Sequence, residues 1–303
     1  MQLDNNTIMQ RLTLPDKRLD MVLDTDAYNE VDDQFALAYC LLAPERLSVQ
    51  AIYAAPFLNT RARSPEDGME QSYHEILRLM CLMGRKPDKM VYRGSRTFMQ
   101  GESDIPSSDA AEDLVQRAMA RPADEPLYVV AIGAITNVAA ALRMRPEIAR
   151  HIVVIWLGGH ALYWPDTREF NLRQDVPAAR TVLDAGMPLL LVPCLGVSSH
   201  MLVSLYELRA CLGGANALCD ALVALVEAYT ADPFAWTKPL WDVAAIAALI
   251  NPAWAPGRWV HSPLIGYDCQ WIAGGESRHI IRVVERLDRN SIFRDLYTRL
   301  RNT

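Results

Sequence analysis

Leu19-Asp-Met-Val-Leu-Asp-Thr-Asp-Ala-Tyr-Asn-Glu-Val-Asp-Asp-Gln-Phe-Ala-Leu-Ala-Tyr-Cys-Leu-Leu42 is the stretch on which the fold turns. Leu19 to Leu23 reads as a strand. The segment carrying Val31, Phe35 and Leu42 reads as an amphipathic helix, so the acids between them sit on a strand-to-helix turn. Similar short runs rich in Val, Ile and Leu recur at Leu47 to Ala55, Met90 to Tyr92, Leu127 to Ile132, Ile152 to Leu157 and Leu189 to Pro193. Runs that are apolar at every position suit strands covered on both faces. Helical stripes lie between them: Met69, Tyr73, Ile76, Leu77, Met80 and Met83 before Gly84, and Ile135, Val138, Ala139 and Leu142 before Pro146. Alternating strand and helix predicts an α/β fold, an open and mostly parallel sheet flanked by helices.

Beyond about residue 200 the pattern turns mainly helical, with stripes in Leu205 to Leu212, Leu218 to Tyr229 and Leu240 to Ile250. Trp259 to Ile265 and Ile280 to Leu287 could add late strands. No Ser/Gly linker, repeat or low-complexity tract interrupts the chain, so residues 1–303 are expected to form a single domain. Three connections are long and polar: Pro56 to Gly68, Arg93 to Ser108 and His160 to Asp175. Long loops at the ends of parallel strands are common places for function.

Composition narrows the partners. Thirty basic residues against 36 acidic ones give a net charge of −6 without a run of either sign, which argues against nucleic acid and for a small molecule. Six scattered cysteines form no C-x-x-C pair and read as reduced, core-packed residues of a cytoplasmic protein. Met1 to Asp20 is polar and charged, and no segment approaches the ~20 apolar residues of a membrane span. Neither secretion nor membrane insertion is expected.

Five acids, Asp24, Asp26, Glu30, Asp32 and Asp33, fall within ten residues of the turn. Gathering them costs repulsion unless a cation neutralises it, and carboxylate-rich oxygen sites suit Ca²⁺ or Mg²⁺. Acids at a helix start also favour the macrodipole. That accounts for Asp32 and Asp33 but not for the acids at the strand end.

These residues resemble the inosine-uridine-preferring nucleoside hydrolase family, whose signature is Asp-x-Asp followed by Asp-Asp after the first strand. Ala131-Ile-Gly-Ala-Ile-Thr-Asn-Val-Ala is similar to its glycine and Leu-Thr-Asn segment, Leu157-Gly-Gly and Glu169-Phe-Asn171 to its glycine pair and sugar-binding Glu-Phe-Asn, and Trp241-Asp242 to the place of its last calcium aspartate. The four motifs run in order from about residue 20 to 250. The resemblance implies a nucleoside hydrolase-like fold and Ca²⁺-dependent hydrolysis of the N-glycosidic bond of ribonucleosides, in nucleoside salvage. It implies that Asp26, Asp33, Asp242 and the carbonyl of Ile132 bind Ca²⁺, with Asp26 also taking a proton from the water held by the metal. Asp32 and Asn171 would hold ribose hydroxyls, Glu169 would meet the sugar near its 5′ end, and Asp24 would support the site from behind. A homodimer or homotetramer is implied as well.

The chain departs from the pattern in places. Five residues, Ala27 to Val31, separate the aspartate pairs where the family usually has three; a bulged turn would restore the carboxylates and bring Tyr28, Asn29 or Glu30 to the pocket, or leave Asn29 and Glu30 as polar turn residues. Asn59 is a nearby candidate for the asparagine expected after the second strand. Trp241 stands where many members carry a proton-donating histidine; its ring would stack on the base or pack in the core. His160 and His200 follow strand ends and either could face the site, while Cys194 reads as packing. Two other readings compete. Leu23-Asp-Thr-Asp also looks like the nucleophile motif of a haloacid-dehalogenase-like phosphatase, with Asp24 attacking, and a metal-dependent nucleoside or sugar binder without turnover would need the same pocket.

Overall fold

The computed structural model of the chain describes residues 3–87 and 89–303, so Met1 and Gln2 of the polar N-terminus lie outside the described residues. Asp4 caps α1 (Asn5–Leu12), its carboxylate accepting from the backbone N–H of Thr7. Then β1 (Leu19–Thr25), α2 (Asp33–Leu41), β2 (Leu47–Ala54), α3 (Pro65–Leu82) and β3 (Val91–Arg93) follow. The next units are α4 (Asp109–Met119), β4 (Leu127–Ala131), α5 (Thr136–Met144), β5 (Ile152–Leu157), α6 (Phe170–Gln174), α7 (Val176–Asp184) and β6 (Leu189–Val192). Beyond residue 200, β7 (Leu202–Val203) pairs with β8 (Lys238–Pro239) around α8 (Leu205–Leu212) and α9 (Ala217–Tyr229). The chain closes with α10 (Val243–Ile250), β9 (Gly257–His261), a small ladder of β10 (Leu264–Ile265) with β11 (Trp271–Ile272), β12 (Ile280–Val284) and α11 (Arg289–Arg301).

The main sheet runs β3-β2-β1-β4-β5-β6-β12-β9 and is parallel except for β9, which lies antiparallel at the edge. From β1 the chain first winds outward through β2 and β3, then crosses to β4 and winds the other way. The order reverses between β1 and β4, where Asp24 is level with Ala131 and Ala131 with Trp156. In open α/β sheets the crevice beyond the carboxyl ends of the strands at such a reversal is where ligands bind.

Residues alternate across this sheet. Met21 and Leu23 of β1 and Val130 of β4 join a core layer with α2, α3, α10 and α11. Val22, Val129, Val154 and Trp156 face a second layer under α4, α5 and α7. Both layers are buried, and each aliphatic side chain so removed from water contributes about 1.5–3 kcal/mol.

Some expectations are adjusted. The connection after β2 stops at Ser64, whose hydroxyl caps α3 with Pro65 in its first turn, so Pro65 to Gly68 is helix. The connection from His160 to Asp175 contains α6. Trp241 and Asp242 precede α10 rather than lying in it, because Asp242 is its N-cap. Cys81 is exposed and Cys211 half-buried, while the other four cysteines are buried as expected. No helix among the described residues is long and apolar enough to cross a membrane.

Candidate active site

A cavity of about 400 Å³ opens beyond the carboxyl ends of β1, β4, β5 and β6. Asp26 reaches it from the turn after β1, Ile132 from the residue after β4, and Leu157 from the end of β5. Asp32 and Asp33 enter at the start of α2, Glu169 and Asn171 at the start of α6, and Trp241 and Asp242 just before α10. His160 completes the wall after the glycine pair. Asp24 lies behind this lining and is fully buried. Asn59 does not line the cavity; its amide instead donates to the Oδ1 of Asn29, which does, at 2.7 Å.

Carboxylate oxygens of Asp32, Asp33 and Asp242 lie within 4.8 Å of one another. Asp32 and Asp242 are the N-cap residues of α2 and α10, yet neither spends its side chain on its own helix. This separates the two readings of the acids: they face the cavity and each other. The backbone N–H of Asp242 reaches Oδ2 of Asp32 at 3.3 Å, and the hydroxyl of Thr25 holds Oδ1 of Asp33 at 2.5 Å. Both carboxylate oxygens of Asp26 are buried with no hydrogen-bond partner among the described residues.

Burial first, then mutual repulsion, raises the pKa of these groups. Asp33 is pushed up to about 7 by desolvation and the charge of Asp32. Desolvation and neighbouring aspartates drive Asp26 and Asp242 well above the carboxylate range. Asp32 is also raised by burial, with the ammonium of Lys238 working against the shift. Buried anions of one sign are expensive unless paired. The unpartnered oxygens of Asp26, the three converging carboxylates and an all-oxygen donor set fit a hard divalent cation.

The surrounding shell is built of hydrogen bonds. Asn137 donates from Nδ2 to Oδ1 of Asp24 at 2.8 Å and accepts from the N–H of Ser95 at 2.8 Å. Gly94 is required there: a Cβ would lie 2.0 Å from the carbonyl oxygen of Ala54 and 2.5 Å from Nδ2 of Asn137. Glu169 accepts from the backbone N–H groups of Gly159, Asn171 and Leu172. Asn171 donates to the carbonyls of Ile132 at 3.0 Å and Leu157 at 3.1 Å, tying the ends of β4 and β5 together. Gly159 adopts φ +68°, the left-handed region open to glycine, and the N–H of His160 then meets the hydroxyl of Thr167 at 2.9 Å.

The long turn brings Asn29 and Glu30 to the cavity, whereas Tyr28 points outward and is 41% exposed. Glu30 is ion-paired to the buried Lys238 and accepts from the hydroxyl of Tyr229 at 3.2 Å. His200 faces away, its Nε2 against the carbonyl of Leu287 at 3.0 Å. Cys194 lines the cavity, but burial and Glu169 push its thiol far up, so no thiolate nucleophile is available. Asp24 is sealed behind Asn137, which removes the phosphatase reading that needs it as an exposed nucleophile.

Several residues of the site escaped the sequence reading. Asn137 lies in the Ala131 to Ala139 segment and had no role in the sequence reading, although a polar residue at the second position of a helix that goes on as Val-Ala-Ala-Ala-Leu could have marked it. Lys238, Tyr229, Arg168 and Arg173 carried no local signal.

A sequence model of the family described as "Inosine-uridine preferring nucleoside hydrolase" matches residues 21–294. The pyrimidine-specific ribonucleoside hydrolase RihA of Klebsiella pneumoniae is 30% identical over 197 residues, covering 57% of this chain and 59% of that protein. RihA of Enterobacter sp. is 26% identical over 263 residues, 77% of this chain and 80% of that one. The chain thus spans less than two thirds of the length of the first relative and four fifths of the second. Among solved structures, the plant nucleoside hydrolase PpNRh1 superposes with a TM-score of 0.76 at 21% identity, covering 95% of this chain and all of that one. A purine-preferring ribonucleoside hydrolase from Gardnerella vaginalis gives 0.72 at 22% identity, over 93% and 98% of the two chains. At such identities these structures establish the shared fold.

Proposed function

The chain belongs to the inosine-uridine preferring nucleoside hydrolase family, and on that premise we propose that it hydrolyses the N-glycosidic bond of ribonucleosides with Ca²⁺. The observation that carries this reading is the meeting of Asp26, Asp32, Asp33 and Asp242 in one cavity, with the oxygens of Asp26 unpartnered. In the proposal Asp26, Asp33, Asp242 and the carbonyl of Ile132 hold the cation. When bound, Ca²⁺ supplies the positive charge that offsets these carboxylates and acidifies nearby water.

Asp26 accepts the proton of the attacking water as a general base. Asp32 and Asn171 hold the ribose hydroxyls and Glu169 lies toward the sugar's 5′ end. Glu169 does this while fastened to three backbone amides, so its oxygens are already oriented. The acids around the sugar favour positive charge developing at its anomeric carbon. The C–N bond breaks, water's oxygen bonds to that carbon, and the base leaves with a proton. Trp241 and His160 flank the base, Asn59 acts through Asn29, and Asp24 stiffens the end of β1. We place this activity in a cytoplasmic single-domain protein that assembles as a homodimer or homotetramer, acting on a small molecule without nucleic acid.

Incubation of the purified protein with Ca²⁺ and a panel of nucleosides should release free ribose. Nucleosides that bind without any ribose appearing would make the protein a sensor instead.

An indole cannot donate a proton to a leaving base at neutral pH, so Trp241 acts by stacking, which favours purines. Inosine should exceed uridine in kcat/KM, and Trp241→Ala should remove ~1 kcal/mol of that preference. A wild type that prefers uridine, or an unchanged ratio in the variant, assigns Trp241 to packing.

Cation binding should also be linked to pH. Asp33 titrates at about 7 in the folded protein, above its ordinary carboxylate range, so the folded state without cation binds extra protons and loses stability as pH rises through that value. The cation competes with those protons. The rise in Tm on adding Ca²⁺ should therefore grow from pH 5 to pH 8; an equal rise at both would contradict the assignment.

A further inference from the structure

Arg168 and Arg173 line the same cavity as the aspartates, and both are exposed. Among the described residues neither guanidinium has an ion-pair or hydrogen-bond partner; Arg173 lies over the ring of Phe170 at 5.4 Å. The adjacent acids accept from backbone N–H groups rather than from either guanidinium. Oδ1 of Asp166 accepts from the backbone N–H of Arg168, and Glu169 accepts from three backbone N–H groups. The other basic group beside the cavity, Lys238, is already paired with Glu30.

The cavity thus has a carboxylate floor and, on its α6 side, two permanently charged guanidinium groups that pair with no carboxylate among the described residues. A neutral nucleoside makes no use of that charge. A guanidinium offers a planar fork of donors that matches phosphate, with an attraction less hydrated than that of an ammonium. Arg168 and Arg173 flank Glu169 and Asn171 in the chain, the residues assigned above to the sugar, while Trp241 is assigned to the base. The charge is thus carried by the same segment as the proposed sugar contacts.

We propose that the cavity accepts ribosides bearing a 5′-phosphate and hydrolyses nucleoside 5′-monophosphates to base and ribose 5-phosphate, with Arg168 and Arg173 as the residues that determine this specificity. The inference rests on the N-ribohydrolase reading. Water adds across the glycosidic bond: the C–N bond breaks, a C–O bond forms, the proton goes to the base, and the phosphate ester is untouched.

The test compares kcat/KM for inosine and inosine 5′-monophosphate in wild type, Arg168→Gln, Arg173→Gln and the double variant, with Ca²⁺ present and products identified. Ribose 5-phosphate should be released, not inorganic phosphate. The ratio of monophosphate to nucleoside should fall ~10- to 100-fold in the double variant, the range for losing charged hydrogen bonds, and wild-type activity on the monophosphate should weaken with added salt. A wild type that cleaves inosine but leaves the monophosphate intact, or a ratio unchanged by the substitutions, overturns the proposal. So does an arginine-dependent gain seen only with orotidine, which would assign the guanidinium groups to a carboxylate on the base.

Titration calorimetry with ribose 5-phosphate and ribose separates the two readings. If no riboside is cleaved, the hydrolase reading fails. Tight binding of ribose 5-phosphate that is lost in the double variant still supports the phosphate site, and equal weak binding of both sugars overturns it.

Discussion

Asp26→Asn and Asp242→Asn should each lower kcat for nucleosides by about 10³-fold, within the range for loss of a general base or of the charge that holds a catalytic ion. The amide is nearly isosteric with the carboxylate but accepts no proton and brings no charge. Both side chains are buried among like charges that already push their pKa values up. Without the cation these raised pKa values favour the protonated, uncharged acid, which the amide resembles, so the metal-free variants should melt no lower than wild type. The increase in Tm produced by Ca²⁺ should be lost. Rate assays and thermal melts with and without Ca²⁺ check both halves together. Near-normal turnover with an intact Ca²⁺ increment in either variant would remove that aspartate from the proposed set.

Asn137→Ala should destabilise the fold by about 3 kcal/mol, because it strips hydrogen bonds from fully buried groups. Asn137 is fully buried, as is Asp24, whose Oδ2 already has no partner. Without the amide, Oδ1 of Asp24 and the N–H of Ser95 would lose their partners too. Asp24 is pushed up to about 7 by burial even with Asn137 donating to it, so in the variant it should shift further toward the protonated form. Urea denaturation reads the effect as a lowered midpoint at constant slope. A loss below 1 kcal/mol would mean that Asn137 is not what holds Asp24 in place.

The identity of the elements was largely legible in the chain. Leu19 to Leu23, Leu127 to Ile132 and Ile152 to Leu157 are apolar at nearly every position and became adjacent central strands. The first acids of the site could likewise be read from one turn. Both signals are local, because strand and helix periodicity and the crowding of carboxylates within ten residues need only neighbours along the chain. The same local logic fails where only partial cues exist. Trp241 and Asp242 looked like the opening of a helix, and nothing nearby showed that Asp242 would leave its own helix uncapped.

Tertiary structure decided which groups meet. Asp242 contacts Asp32 across 210 positions, Lys238 pairs with Glu30 across 208, and Asn137 holds Asp24 across 113. The reversal of strand order between β1 and β4 brings these segments to one edge of the sheet. Only there does desolvation turn a row of ordinary aspartates into a repelling cluster with raised pKa values, since the cost of a charge depends on what surrounds it in space and not on its neighbours in the chain. The residue types of Asp26, Asp32, Asp33 and Asp242 were set by the sequence, whereas their common cavity, the unpartnered oxygens of Asp26 and the two arginines beside them, unpaired among the described residues, exist only in the folded chain.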